Sequence, residues 1–198
     1  MKLFYSPRTR ASRIVWLLEE AGIDYELVPI ELGATEQPEE FLDASPLRKV
    51  PAIKDGDVAM ADSAAIAIYV ADRYPEAGLA PAIDDPRRGQ FLYWCLFTPG
   101  VIEPAMAEKM AGTEPNPRSY GWGSFDLMIA TLETTLADGP WLLGEHFSAA
   151  DVITGSSVVF LKMFNMLPES AVLEAYAQRC LERPGYQLAL KMDEPGND

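Results

Sequence analysis

A change of hydrophobic period near residue 75 constrains this chain more than any other feature. Before it, short apolar runs alternate with stretches of helical spacing; after it, no convincing strand pattern returns. Lys2-Leu3-Phe4-Tyr5 reads as a buried strand ending at the Ser6-Pro7 loop. From about Arg10, the residues Ile14, Val15, Leu17, Leu18 and Ala21 recur at helical spacing until Gly22 stops the helix. Residues 25–30 read as a second strand, and residues 38–43 as a short helix closed by Pro46. Val50-Pro51-Ala52-Ile53 enters a third strand, and Asp55-Gly56 is a hairpin turn into Val58-Ala59-Met60. Asp62-Ser63 offers caps for a helix through Ala64, Ile66, Tyr69 and Val70 to Tyr74-Pro75. This order predicts a mixed sheet of four strands with helices on its faces.

Residues 76–85 (EAGLAPAIDD) are rich in Ala, Pro and Asp and read as a linker. Beyond them the pattern is helical. Pro86 suits a first helical turn, and the helix can reach Met110 with kinks at Pro99, Gly100 and Pro104. Pro115 and Pro117 mark a break before a helix ending near Leu136. Phe147-Ser148-Ala149-Ala150-Asp151 has the spacing of a capping box, Ser148 capping the backbone while Asp151 reaches back. Residues 168–181 give a further helix stopped by Pro184-Gly185, and the tail after Lys191 reads as disordered. The expected organisation is an α/β domain over residues 1–75, the linker, and an all-helical domain over residues 86–198.

Composition removes several function classes. The net charge of −14 opposes a nucleic-acid partner, since phosphate binding needs a basic surface. No apolar run is long enough to span a bilayer and the N-terminus lacks a signal pattern, which makes the cytoplasm the expected location. Cys95 and Cys180 lie far apart in helical contexts and read as reduced thiols, and with the single His146 they make no metal site of usual spacing. Residues 1–13 stand apart: Lys2, Arg8, Arg10 and Arg13 occur there with no acid, a place for a small anion on an acidic protein.

Inside that basic stretch, Thr9 and Ser12 stand at C-x-x-C spacing with oxygen in place of sulfur. A C-x-x-C at a helix N-terminus is reactive because the local field favours thiolate. Hydroxyls there cannot do disulfide chemistry, but they can donate to a bound thiolate and lower that thiol's pKa. Each is equally able to cap the helix. Val50-Pro51, were its bond cis, would leave the Val50 backbone open to an extended peptide. The helix start at Asp62-Ser63 could hold a carboxylate, with Asp62 binding an ammonium.

Together, Y-S-P-R-T-R-A-S-R, K-V-P-A-I, D-S-A-A-I-A-I-Y and F-S-A-A-D-V resemble the glutathione transferase family over nearly the whole chain. The resemblance implies a thioredoxin-like N-terminal domain, a cis Pro51, glutathione as co-substrate, no metal, and a homodimer. It implies that Lys49 and the Val50 backbone hold the cysteinyl-glycine part of glutathione, and that Asp62 and Ser63 hold its γ-glutamyl end. Thr9 falls where serine-type members carry the activating hydroxyl, and Arg10 where some bacterial members carry cysteine. Ser12 and Ser6 compete with Thr9 for that role, while Tyr5 stands early for a tyrosine-type catalyst. Ser45-Pro46-Leu47-Arg48 departs from the Asn or Gly often found before Val-Pro in the family. The acceptor pocket is expected around Tyr5, Phe97, Glu103, Met106 and Met110, with Met suited to varied apolar ligands. The implied activity is attack of the bound thiolate on an electrophilic apolar compound. Glutathione-dependent reduction of peroxides or disulfides, isomerisation, and a non-catalytic binding role on the same fold are the alternatives.

Overall fold

The computed structural model describes residues 1–194 and divides into two compact units. The first comprises Met1–Gly78 together with residues 182–194; the second is Leu79–Leu181.

In the first unit, strands β1 (Lys2–Tyr5), β2 (Glu26–Pro29), β3 (Ala52–Asp55) and β4 (Val58–Ala61) form one sheet in the order β2-β1-β3-β4. The β1–β2 pair is parallel, in register Lys2↔Glu26 to Tyr5↔Pro29, and the β1–β3 and β3–β4 pairs are antiparallel. Parallel strands need a crossover, which α1 (Ser12–Ala21) supplies, whereas β3 and β4 need only a turn, for which Gly56 adopts φ 60°. This is the mixed four-stranded sheet expected from the sequence.

Strand alternation sorts the side chains of β1. Phe4 packs in one cluster with Phe41 of α2 (Glu39–Ala44), Ile30, Ala44 and Ala52, its ring 5.5 Å from that of Phe41. Leu3 and Tyr5 therefore point to the opposite face. Helix α1 buries Ile14, Val15, Trp16, Leu17 and Leu18 completely and packs on α3 (Ser63–Arg73).

A last helix, Pro184–Met192 (labelled α9 below, in chain order), also packs on α1. Gly185 lies so close to α1 that a β-carbon there would sit 3.0 Å from the Trp16 ring. The Trp16 and Tyr186 rings meet edge to face at 5.0 Å, and Arg183 grips Glu20 through Nε–Oε1 at 2.7 Å and Nη2–Oε2 at 2.5 Å. By sequence, Pro184-Gly185 is expected to be a stop and residues 182–198 part of the helical domain. Here Pro184 opens a helix, because the first turn needs no N–H from it, and the helix belongs to the first unit. The expected disorder after Lys191 does not extend to Met192 and Asp193, and residues 195–198 lie outside the described residues.

The second unit contains α4 (Arg88–Phe97), α5 (Glu103–Ala111), α6 (Phe125–Leu136), α7 (Ala149–Met163) and α8 (Ala171–Leu181). The expected kink at Pro99 and Gly100 is a π-helical turn over Thr98–Ile102. Helix α6 ends at Leu136, as expected, and starts at the cap Ser124, whose Oγ accepts from the Leu127 N–H at 3.2 Å. Cys95 and Cys180 are buried thiols of α4 and α8, outside any disulfide. Helix α7 meets α8 at Gly155, where an added β-carbon would lie 2.5 Å from Cys180 Sγ and 3.2 Å from Tyr176 Oη. Gly155→Ala should therefore lower stability by about 1–3 kcal/mol in urea melts, through overpacking. Adding Cys180→Ala should restore part of the loss; a single variant as stable as the wild type would show that the helices can part freely.

Candidate functional site

Tyr5 ends β1, on the face opposite Phe4. The chain then turns through Ser6-Pro7-Arg8-Thr9-Arg10-Ala11 before Ser12 opens α1. Arg8 takes up a left-handed conformation, φ 57°, within this turn. Three donors thereby converge on one oxygen, Asp193 Oδ1: Tyr5 Oη at 2.5 Å, the Arg8 N–H at 2.8 Å and Ser12 Oγ at 2.8 Å. Two hydroxyls and a backbone amide around an anionic atom constitute an anion hole. Burial first, then the hydrogen bond and charge of Asp193, push the Tyr5 phenol well above its ordinary value. Tyr5 is accordingly a proton donor here, never a phenolate, at neutral pH.

Thr9 is placed differently. Its Oγ1 donates to the Ser6 carbonyl at 2.7 Å and accepts the Ala11 N–H at 3.1 Å. The Thr9 hydroxyl hydrogen is thus spent inside its own turn, while the Ser12 hydroxyl is aimed at the anion. Ser6 enters through its carbonyl. Lys2, expected as part of the basic stretch, is ion-paired to Glu40 at 2.6 Å, and Glu40 also binds Lys54 at 3.0 Å. Its charge is neutralised locally rather than directed at an anion.

The second patch lies where the sheet ends. The Val50–Pro51 bond is cis. The β1–β3 register stops at Phe4↔Ala52 and the β3–β4 register at Ala52↔Ala61, so Val50 lies beyond both ladders. The loop before it is closed by the buried Ser45, whose Oγ donates to the Lys49 carbonyl at 2.8 Å and accepts the Lys49 N–H at 3.0 Å. Ser45 thus gives the departing segment Ser45-Pro46-Leu47-Arg48 a fixed shape of its own.

The third patch opens α3. Asp62, at φ 78°, caps that helix through Oδ1, which accepts the Ala64 N–H at 2.9 Å and the Ala65 N–H at 3.2 Å. Ser63 follows it and is buried. One Asp62 oxygen is thereby committed to the helix, and Oδ2 lies outside those two bonds.

Of the expected acceptor residues in the second unit, Phe97 and Met106 belong to the buried core, Glu103 begins α5, and Met110 is 67 % exposed. Phe97 packs its ring 4.8 Å from Trp94 and 5.5 Å from Tyr93. Asp193 is the residue that sequence reasoning missed. Nothing local marks an aspartate just past a helix end as the partner of Ser12, 181 positions earlier.

Comparison with known proteins bears on both units. Residues 1–72 match the family model of the glutathione S-transferase N-terminal domain, and residues 77–178 that of the C-terminal domain. The disulfide-bond oxidoreductase YfcG of Escherichia coli (strain K12) is 29% identical over 164 residues, covering 76% of this chain and 75% of its own. Among solved structures, a ternary complex of BphK, a bacterial GST, is 27% identical with TM-score 0.82, over 98% of this chain and 99% of that one. A sphingomonad glutathione S-transferase complexed with glutathione is 28% identical with TM-score 0.76, over 98% of each chain. Both domain models match in order, neighbours align over nearly their full length, and the sheet, cis-proline and capped α3 are in place: the chain belongs to the glutathione transferase family.

Proposed function

We propose that this protein binds glutathione in its first unit and presents the thiolate to an electrophilic, apolar compound. The observation that carries this reading is the convergence of Ser12 Oγ, Tyr5 Oη and the Arg8 N–H on a single anionic oxygen. A thiolate sulfur at that point would receive the same three donors, which favour the charged form of the thiol and lower its pKa. The Val50 backbone would pair with the cysteinyl segment, Lys49 would meet the glycine end, and the α3 start with Asp62 and Ser63 would hold the γ-glutamyl end. Thr9 and Ser6 would shape the loop, and Arg10 would border it. The thiol proton leaves to water; the sulfur lone pair then forms a carbon–sulfur bond as the electrophile expels its leaving group. The protein supplies thiolate stabilisation and proximity.

Glutathione-dependent reduction of disulfides is the second reading, favoured by the likeness to YfcG. Cys95 and Cys180 are fully buried, so such reduction would use two glutathione molecules and no protein thiol. A reducing cytoplasm suits both reduced cysteines and this co-substrate. A homodimer is part of the proposal, and a monomeric mass in solution would remove it.

Titration calorimetry with reduced glutathione is the direct test. Saturable binding is expected, with turnover of an aryl halide. Turnover of a mixed disulfide without any aryl halide activity would select reduction instead, and absence of glutathione binding would overturn both readings.

A further inference from the structure

The atom now held in the anion hole belongs to the protein itself. Asp193 follows α9 directly, and α9 is fixed on α1 by the Arg183–Glu20 pair, by Tyr186 on the Trp16 ring, and by the close approach of Gly185. Trp16 Nε1 also donates to Glu20 Oε1 at 2.8 Å, so ion pair and ring contact share one carboxylate. Nearer the site, Tyr25 Oη donates to Glu19 Oε1 at 2.7 Å and lies 3.9 Å from Met192 Sδ. The helix thus delivers a carboxylate to the β1–α1 loop from a well-anchored base.

We propose that Asp193 is an intramolecular plug: its carboxylate occupies the donors of Tyr5, Arg8 and Ser12, and glutathione must displace it before its sulfur can be held as thiolate. This rests on the thiolate reading given above. Three donors directed at one point cannot serve two anions, because like charges at contact distance disfavour each other's ionised form. A carboxylate left beside the sulfur would raise the thiol pKa, the opposite of what activation requires. Displacement avoids this. Only the last turn of α9 and Asp193 need to move, while the Arg183, Gly185 and Tyr186 contacts hold the start of the helix. The plug has a chemical use as well: it keeps two hydroxyls and an amide satisfied while the site is empty. The observed affinity for glutathione is then the intrinsic affinity reduced by the unplugged fraction.

The test compares wild type with Asp193→Asn and Asp193→Ala, reading the glutathione Kd by calorimetry and amide hydrogen exchange of residues 188–194. Asp193→Ala should bind glutathione about tenfold more tightly, as expected when a closed state populated at about ten to one is removed, and Asp193→Asn, which keeps a neutral acceptor oxygen, should fall between it and the wild type. In the wild type, glutathione should speed exchange in that segment. Equal glutathione binding by all three proteins would overturn the plug and leave the thiolate reading standing. Unchanged binding with a large fall in kcat in both variants would overturn it too, and would make Asp193 a proton acceptor instead. No binding by any of the three would overturn the thiolate reading and the plug with it.

Discussion

Ser12→Ala should lower kcat/KM for glutathione conjugation about 10- to 100-fold and raise the pKa of bound glutathione by about one to two units. The magnitude follows from the bond removed: a hydrogen bond to a charged acceptor is worth about 1.5–3 kcal/mol, and each pKa unit is about 1.36 kcal/mol. A free thiol titrates near ~8.5, so at neutral pH only a few per cent is thiolate, and a shift of two units makes the anion the main form. Ser12 is the residue to test because its Oγ reaches the anion position at 2.8 Å. Thr9→Ala is the internal control. Its hydroxyl is tied to the Ser6 carbonyl and the Ala11 amide, so the variant should loosen the turn and leave the thiolate titration unmoved. Thiolate absorbance against pH, measured on the complexes, reads both. A curve that moves with Thr9→Ala and not with Ser12→Ala would reverse the assignment.

Why the sequence could not choose between these hydroxyls is a matter of range. Thr9 and Ser12 are chemically alike and three residues apart, and which one faces the anion depends on how Arg8 and Thr9 fold the turn back on Ser6. Features governed by adjacent residues were readable: the Asp55-Gly56 hairpin, Asp62 as the cap of α3, and Ser148 with Asp151 as a capping box. So was the order of strands and helices, because each strand run and each helical run carries its own period. The cis Pro51 came from family likeness, since an isolated X-Pro favours trans. What stayed hidden were contacts between distant segments. Helix α9 has a terminator's sequence, Pro-Gly, at its start, and only packing on Trp16 makes it a helix of the first unit. Tyr5 stands early in the sequence for a catalyst; strand alternation turns it to the α1 face, where its hydroxyl is one of the donors that hold Asp193.

Asp151→Ala should cost about 3–5 kcal/mol and lower Tm by about 10 °C or more, the largest stability effect expected of a single change here. Asp151 is fully buried, and its carboxylate joins three parts of the second unit. Oδ1 accepts the Leu142 N–H at 2.9 Å and the Tyr176 hydroxyl at 3.1 Å; Oδ2 accepts the Ser148 N–H at 2.9 Å and lies 3.2 Å from Ser148 Oγ. Alanine would leave two amides and a phenol buried without acceptors, and each such group costs about 1–3 kcal/mol. The 141–148 loop would lose its tie to α7 and α8 together. Asparagine keeps one acceptor but turns an NH2 group toward donors, so Asp151→Asn should fall between wild type and Asp151→Ala. Burial also pushes this carboxyl up to about 6, against the pull of its four donors. The folded chain therefore holds a proton between about pH 4 and 6 that the unfolded chain releases, given an unfolded carboxyl near ~3.9. That contribution is complete below about pH 4 and is lost as pH rises through 6. Urea melts of wild type and Asp151→Asn from pH 7 to 4 should accordingly diverge as the pH falls, the wild type gaining relative to the variant. Parallel curves would mean that Asp151 keeps its charge throughout, with the hydrogen bonds outweighing burial.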